Sequence, residues 1–199
     1  EPYRASDVVS LGRQIRDCNP ILETGVNEAF QTSAAEIKSL SDFTIDAMDL
    51  ICAGGFDCCI GNFSEGNPSN LDWWQAFYPA LRRARYWFAQ GRRVYLGLHE
   101  YWVPGAAPVN DTWHSGRYAR VWDALPEACR IPIIIGECGI DGGIVGEKQK
   151  GWRSHSTPSA YAADLRAYRD AFPPYVHAAF VFVDAAHPGW GWQDFDTDG

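Results

Sequence analysis

One segment, residues 131–143, constrains the fold more than any other stretch of the sequence. It reads IPIIIGECGIDGG, so four isoleucines in five positions lead to a carboxylate, Glu137, and then to glycines. A continuous apolar, β-branched run is typical of a strand buried on both faces of a parallel sheet. In such sheets, ligands bind at the carboxyl ends of the strands. The segment therefore predicts a strand that delivers Glu137 to a binding edge, although Glu137 could instead be a structural carboxylate bonded to a loop.

Four further strands are predicted, and each ends close to a polar residue. They cover residues 21–26, 56–60, 94–98 and 178–183. With the central strand, they place the following polar groups at strand ends: Glu28, Asn62, His99, Glu137 and Asp184. The spacing of 34 to 47 residues is that of βα units joined by right-handed crossovers.

Helices are predicted between the strands. The first covers residues 6–18, and the second opens at a capping box of Ser33 and Glu36 and ends at the glycines 54–55. A third covers residues 70–90 and is divided by Pro79. A fourth has four apolar residues on one face: Tyr118, Val121, Trp122 and Leu125. The last begins with Thr157 as N-cap, followed by proline.

These units fit either a five-stranded open sheet or part of a (β/α)8 barrel. An open nucleotide-binding sheet would need a GxGxxG or P-loop lysine motif, and the sequence has neither. We therefore predict an α/β fold of the (β/α)8 TIM-barrel type, apparently incomplete, with strands four to eight present and the first three βα units missing. Residues 1–199 would form a single partial catalytic domain, and a partner or a missing N-terminal segment would complete the barrel.

Composition limits the classes of partner. The formal charge of −8 and pI near 5.0 argue against a nucleic-acid or anionic-membrane partner, and no apolar run is long enough to span a bilayer. The six cysteines form no CxxC pair, so we expect small buried side chains, with one or two disulfides as the alternative. The chain starts at Glu1 and has one Met, so we expect an upstream segment, where a signal peptide for secretion would lie.

Two carboxylates at separated strand ends suit glycoside hydrolysis. One carboxyl group protonates the departing oxygen, and the other attacks the anomeric carbon or activates water. If Glu28 and Glu137 follow the fourth and seventh strands of a barrel, they face each other across its axis. The sequence therefore predicts a glycosidase that needs no metal or other cofactor.

The motifs at these positions resemble the retaining (β/α)8 glycoside hydrolases of clan A. Asn27-Glu28 resembles the Asn-Glu pair after the fourth strand, although Ala29 stands where a proline usually follows. The Ile-rich run ending in Glu137 resembles the seventh strand, and the stretches GNFSEGNP and LGLHEYW resemble segments of glycosidase-like proteins. The resemblance implies cleavage of β-glycosidic bonds in an oligo- or polysaccharide, with Glu28 as acid/base and Glu137 as nucleophile.

The same resemblance implies a set of substrate contacts. Tyr101 of the His-x-Tyr pattern would donate to the nucleophile, and Asn27 would bind the sugar 2-hydroxyl. The full set of implied substrate-binding residues is Asn27, Asn62, His99, Tyr101, Trp102, Trp190 and Trp192. Trp113 offers a further flat face for a sugar ring.

Several alternatives remain open at this point. Asn27 could cap the following turn, His99 could be a core histidine, and Glu100 could be the true acid or a solvent-facing neighbour. One rival function is a metal-dependent barrel hydrolase with the ligands His99, Glu137, Asp184 and His187. Another is a non-catalytic carbohydrate-binding relative of the barrel enzymes.

Overall fold

The computed structural model describes residues 5–14, 20–25, 27–28, 31–109, 113–141 and 151–182. These residues form one five-stranded parallel sheet in the order β1-β2-β3-β4-β5. The strands are β1 (Ile21–Glu23), β2 (Asp57–Phe63), β3 (Val94–Trp102), β4 (Ile133–Ile140) and β5 (Val176–Val181). A strictly sequential order is how a barrel winds, whereas a doubly wound sheet reverses its order. The sheet is therefore consistent with an incomplete TIM-like barrel.

Five α-helices accompany the strands. They are α1 (Ala5–Gln14), α2 (Ala34–Ala53), α3 (Tyr78–Ala89), α4 (Arg117–Ala124) and α5 (Pro158–Asp170). Short 3-10 helices cover Leu71–Phe77, Glu127–Cys129 and Trp152–Ser154. Right-handed crossovers between sequential parallel strands put the connecting helices on one face of the sheet. The other face is left for the site.

Several helix boundaries lie where local sequence signals predicted them. Ser33 caps α2 by accepting a hydrogen bond from the Glu36 backbone N–H at 3.2 Å, while the Glu36 carboxylate accepts from Thr32 at 2.8 Å. Pro79 divides the predicted third helix, because a 3-10 helix ends at Phe77 and α3 begins at Tyr78. The Ser33 side chain satisfies an N–H group that has no partner inside α2.

The main core lies between the sheet and the helices. Phe63, Leu96 and Ile135 from three neighbouring strands are fully buried there, and they belong to one cluster with Trp74 and Phe77. A much smaller cluster on the opposite face contains Cys59, Tyr95 and Ile134, with Ala178 packed against it. The two clusters identify the helix-covered face and the inner face of the sheet.

The cysteines that the structure describes are small buried side chains, as the sequence predicted. The five cysteines among the described residues are free and buried: Cys52, Cys58, Cys59, Cys129 and Cys138. Cys18 lies outside the described residues. Within the described part of the chain, no helix is both long and apolar enough to cross a membrane.

Strands β2, β3 and β4 continue past the ends that the apolar pattern predicted. β3 runs to Trp102 instead of Leu98, and β4 runs to Ile140, past Glu137. His99 pairs in register with Glu137 across these two strands, next to a register shift after Leu98. The predicted strand-end groups of β3 and β4 thus lie within paired strands.

Candidate active site

Three predicted site residues converge on the inner face of the sheet. The His99 Nδ1 lies 2.9 Å from Glu28 Oε1 and 3.6 Å from Glu137 Oε2. One ligand atom from each of the three residues falls within 4.8 Å of the other two. The His99 side chain is buried, whereas Glu28 and Glu137 are 46% and 22% exposed. Two solvent-accessible carboxylates therefore share one buried imidazole.

Tyr101 completes this group from the same strand as His99. Its hydroxyl donates to Glu137 Oε2 at 2.8 Å. Residues two apart in a strand point to the same face, which places both side chains beside Glu137. Burial raises the pKa of Tyr101, and the charge of the Glu137 carboxylate raises it further, so the hydroxyl keeps its proton and acts as a donor. This is the contact that the resemblance implied.

The position of Glu28 depends on an irregularity in β2. Glu28 has φ +49° and its backbone N–H donates to the Asn62 carbonyl at 3.2 Å. Asn62 itself has φ +38° and follows Gly61 at φ +92°, where the pairing of β2 with β3 shifts register. Asparagine and glycine tolerate the left-handed region, so the sequence Gly61-Asn62 permits the distortion that holds Glu28.

Asn62 is buried and acts on the site through its backbone. A Cβ atom added to Gly97 would lie 2.0 Å from Asn62 Oδ1, so the absence of a side chain at Gly97 makes room for the amide. The Cys59 thiol donates to the same oxygen at 3.6 Å. The prediction that Asn62 binds substrate is corrected by this burial, because the side chain is packed under the site.

Hydrogen bonding from His99 lowers the pKa of Glu28. This bond outweighs the opposing effect of burial, and the charge of the imidazole adds to it. We expected the Glu28 carboxyl group to hold its proton near neutral pH, as an acid catalyst must. With the His99 nitrogen 2.9 Å away, Glu28 instead favours its ionised form.

Glu100 lies on the opposite face of β3 and is fully buried. Its carboxylate accepts hydrogen bonds from the Gly116 N–H at 2.6 Å, the Tyr118 N–H at 2.8 Å and the Tyr168 hydroxyl at 2.6 Å. Burial raises the pKa of Glu100 to about 7 against the effect of these donors and of the charge on Arg117. The alternative that Glu100 is the acid/base is therefore not supported, because it faces the helices and caps α4.

Arg117 is a buried residue of the site region that the sequence analysis did not identify. Its guanidinium donates to the carbonyls of Ser64 at 2.5 Å, Asn67, and His99 at 3.5 Å. Burial lowers the pKa of Arg117 to about 10, and the nearby Glu100 carboxylate opposes that change. Arg117 thus ties the loop after β2 to the strand that carries His99. Its partners are backbone carbonyls, which leave no pattern in the sequence.

The predicted aromatic platforms are not assembled by the described residues. Trp102 is only 2% exposed and packs on Tyr168, with ring centroids 5.2 Å apart, so the prediction that it binds substrate is corrected. Trp113 lies under the Arg120 guanidinium at 4.2 Å from its ring centroid. Trp190 and Trp192, and the metal-ligand candidates Asp184 and His187, lie outside the described residues. Asn27 is exposed beside Glu28, where a ligand could reach it.

Comparisons with known proteins add structural neighbours of low similarity. No known protein family and no curated protein matches the sequence. Two structures of a GH128 (subgroup I) endo-beta-1,3-glucanase from Amycolatopsis mediterranei are similar to the chain, one in complex with laminarihexaose and one with laminaritriose. Each is 14% identical, with TM-scores of 0.43 and 0.41, over 72% and 73% of this chain. The 3-keto-D-glucoside 4-epimerase from E. coli is also similar, at 16% identity, a TM-score of 0.43, and coverage of 96% of this chain and 82% of that one.

The chain spans 54% and 55% of the length of the two glucanase structures. The two kinds of neighbour differ in activity, since one is a glucanase and the other an epimerase.

Proposed function

We propose that this protein is a glycoside hydrolase that cleaves β-glycosidic bonds of an oligo- or polysaccharide with retention of configuration. The observation that supports this is that one carboxylate oxygen of Glu28 and one of Glu137 lie within 4.8 Å of each other. Retaining enzymes hold their two carboxyl groups about 5–5.5 Å apart, and inverting enzymes about 6.5–9.5 Å. The separation favours the retaining geometry, because it leaves no room for a water molecule between sugar and base.

In this proposal Glu137 is the nucleophile. Its carboxylate attacks the anomeric carbon while Glu28 gives its proton to the departing oxygen. Glu28 then takes a proton from the water that hydrolyses the glycosyl-enzyme. The Tyr101 hydroxyl, 2.8 Å from Glu137 Oε2, keeps the nucleophile oriented. The exposed Asn27 is available for the sugar 2-hydroxyl.

Covalent labelling tests the assignment of the nucleophile. Incubation with a 2-fluoro glycosyl fluoride should trap the glycosyl-enzyme, and peptide mass analysis should find the label on Glu137. The variant Glu137→Gln should take up no label, while the control Glu127→Gln, at an exposed carboxylate outside the group of Glu28, His99 and Glu137, should be labelled like the wild type. A label on any other residue would overturn the assignment. Screening β-1,3- and β-1,4-glucans would then narrow the substrate.

A second candidate function is metal-dependent hydrolysis. Glu28, His99 and Glu137 each offer a ligand atom within 4.8 Å of the other two, which is close enough for one divalent ion to contact all three. The two functions differ in their response to chelation. If turnover survives exhaustive treatment with EDTA, the two-carboxylate mechanism is retained; if it is lost and returns with Zn²⁺ or Mn²⁺, the metal-dependent function replaces it.

A further inference from the structure

His99 offers one N–H group to two carboxylates. Its Nδ1 is 2.9 Å from Glu28 and 3.6 Å from Glu137, so both oxygens lie at or near hydrogen-bonding distance from the same atom. The ring is buried, and a Cβ atom added to Gly136 would lie only 3.3 Å from its Nε2. Gly136 therefore leaves room for the buried imidazole beside the backbone of β4, whereas the carboxylates of Glu28 and Glu137 are partly exposed.

A retaining reaction moves one negative charge between these two carboxylates. Before the first step, Glu137 is ionised and Glu28 carries a proton. The proton of Glu28 goes to the leaving oxygen as the glycosidic bond breaks and the bond from Glu137 to the anomeric carbon forms. Glu137 is then a neutral ester and Glu28 is ionised. In the second step water gives its proton to Glu28 and its oxygen to the sugar, which restores the starting charges.

We propose that the Nδ1–H of His99 changes its acceptor from Glu137 to Glu28 as the glycosyl-enzyme forms and returns when it is hydrolysed. This inference rests on the proposed retaining function. A hydrogen bond to an ionised acceptor is stronger than one to a neutral group, so the N–H follows the charge. The two distances differ by less than 1 Å, so rotation of a carboxylate is enough to exchange the acceptors. His99 then stabilises the charged partner in both half-reactions instead of binding the sugar.

Tyr101 provides a matched comparison. Its hydroxyl donates a hydrogen bond to the nucleophile Glu137 at 2.8 Å, whereas the His99 Nδ1 lies close to both carboxylates. Glu137 is charged at the start of the first step and leaves the sugar as a carboxylate in the second, so a residue that supports only Glu137 affects both steps. A residue that also donates to Glu28 affects, in addition, the ionisation of the base in the second step. The pH dependence of reactivation therefore separates the two roles.

Kinetics of the two steps test the proposal. Dinitrophenyl β-glycosides need no acid for their departure, so their kcat/KM reports attack by ionised Glu137, and reactivation of the 2-fluoro glycosyl-enzyme reports base catalysis by ionised Glu28. His99→Leu removes the donor and should slow each step about 10- to 100-fold, the range for a hydrogen bond to a charged group. His99→Asn keeps an N–H near the Nδ1 position and should recover part of both losses. Tyr101→Phe should slow both steps without moving the pH dependence of reactivation, whereas His99→Leu should raise the pH at which reactivation begins, because the His99 bond lowers the pKa of Glu28.

The outcomes separate failure of the inference from failure of the function. If the wild-type protein is neither labelled nor active, the proposed retaining function is wrong. If the wild type is labelled but His99→Leu slows only one of the two steps, the proposed exchange of acceptors is wrong. Imidazole NMR gives a readout without turnover, because the Nδ1–H resonance should move in both Glu28→Gln and Glu137→Gln if both carboxylates accept from it. A resonance that responds to the Glu28 variant alone assigns His99 to Glu28 only.

Discussion

The buried carboxylate of Glu100 makes stability fall as pH rises. Burial raises its pKa from the ordinary 4.5 to about 7, despite the three donors and the charge of Arg117. An acid whose pKa is raised on folding contributes its full stability below the unfolded pKa of 4.5 and loses it as pH rises through about 7. A pKa shift of one unit corresponds to about 1.4 kcal/mol, so the free energy of unfolding should fall by about 3 kcal/mol between pH 4.5 and about pH 7.

The variant Glu100→Gln isolates this contribution. Urea unfolding followed by tryptophan fluorescence gives the free energy of unfolding of wild type and variant at pH 4.5 and above pH 7. The amide cannot ionise, so the stability of the variant should not fall over this pH range. The difference in free energy of unfolding, variant minus wild type, should therefore rise by about 3 kcal/mol between the two pH values. Loss of a carboxylate oxygen as hydrogen-bond acceptor lowers the stability of the variant equally at both pH values and does not affect this change. The exposed Glu127→Gln control should show no such change. Parallel curves for wild type and Glu100→Gln would refute the reasoning.

Two further predictions concern Trp102 and Glu28. Trp102→Ala should lower the free energy of unfolding by about 3–5 kcal/mol, the usual cost of truncating a buried tryptophan, and urea unfolding would measure it. A rise in KM for an oligosaccharide without loss of stability would instead indicate that Trp102 contacts the substrate. The carboxyl carbon of Glu28 should titrate by NMR below 4.5 in the wild type and closer to 4.5 in His99→Leu, because the imidazole bond is the main cause of the lowered pKa. Equal pKa values in the two proteins would contradict that cause.

The order and type of the elements could be predicted because each depends on local sequence. Ser33, Pro79 and Thr157 act through backbone groups within a few residues of themselves, and the structure places helix boundaries at all three. The apolar runs identified the five strands because parallel strands are buried on both faces. The ends of β2, β3 and β4 were predicted too early, because pairing with a neighbouring strand extends β3, for example, through His99 to Trp102.

The two faces of β3 account for the largest errors in the predicted site. Because side chains alternate along a strand, His99 and Tyr101 face the carboxylates while Glu100 and Trp102 face the helices. Placing residues 99–102 at a strand end put His99, Tyr101 and Trp102 at the binding edge and left Glu100 as an alternative acid. The pairing of Glu28 with Glu137 was predictable from topology alone, since it needs only parallel strands that end at the same edge.

The protonation of Glu28 could not be predicted from sequence, because it depends on a contact between residues 71 positions apart. Burial alone would raise its pKa, but an imidazole nitrogen at 2.9 Å lowers it. An acid catalyst must carry its proton when the substrate is bound, so Glu28 must lose this hydrogen bond before the first step. Glu137 is the other acceptor near that N–H, at 3.6 Å, and it is the group that must then be charged. The low pKa of Glu28 and its proposed acid role are therefore compatible if His99 moves its hydrogen bond to the nucleophile when sugar binds.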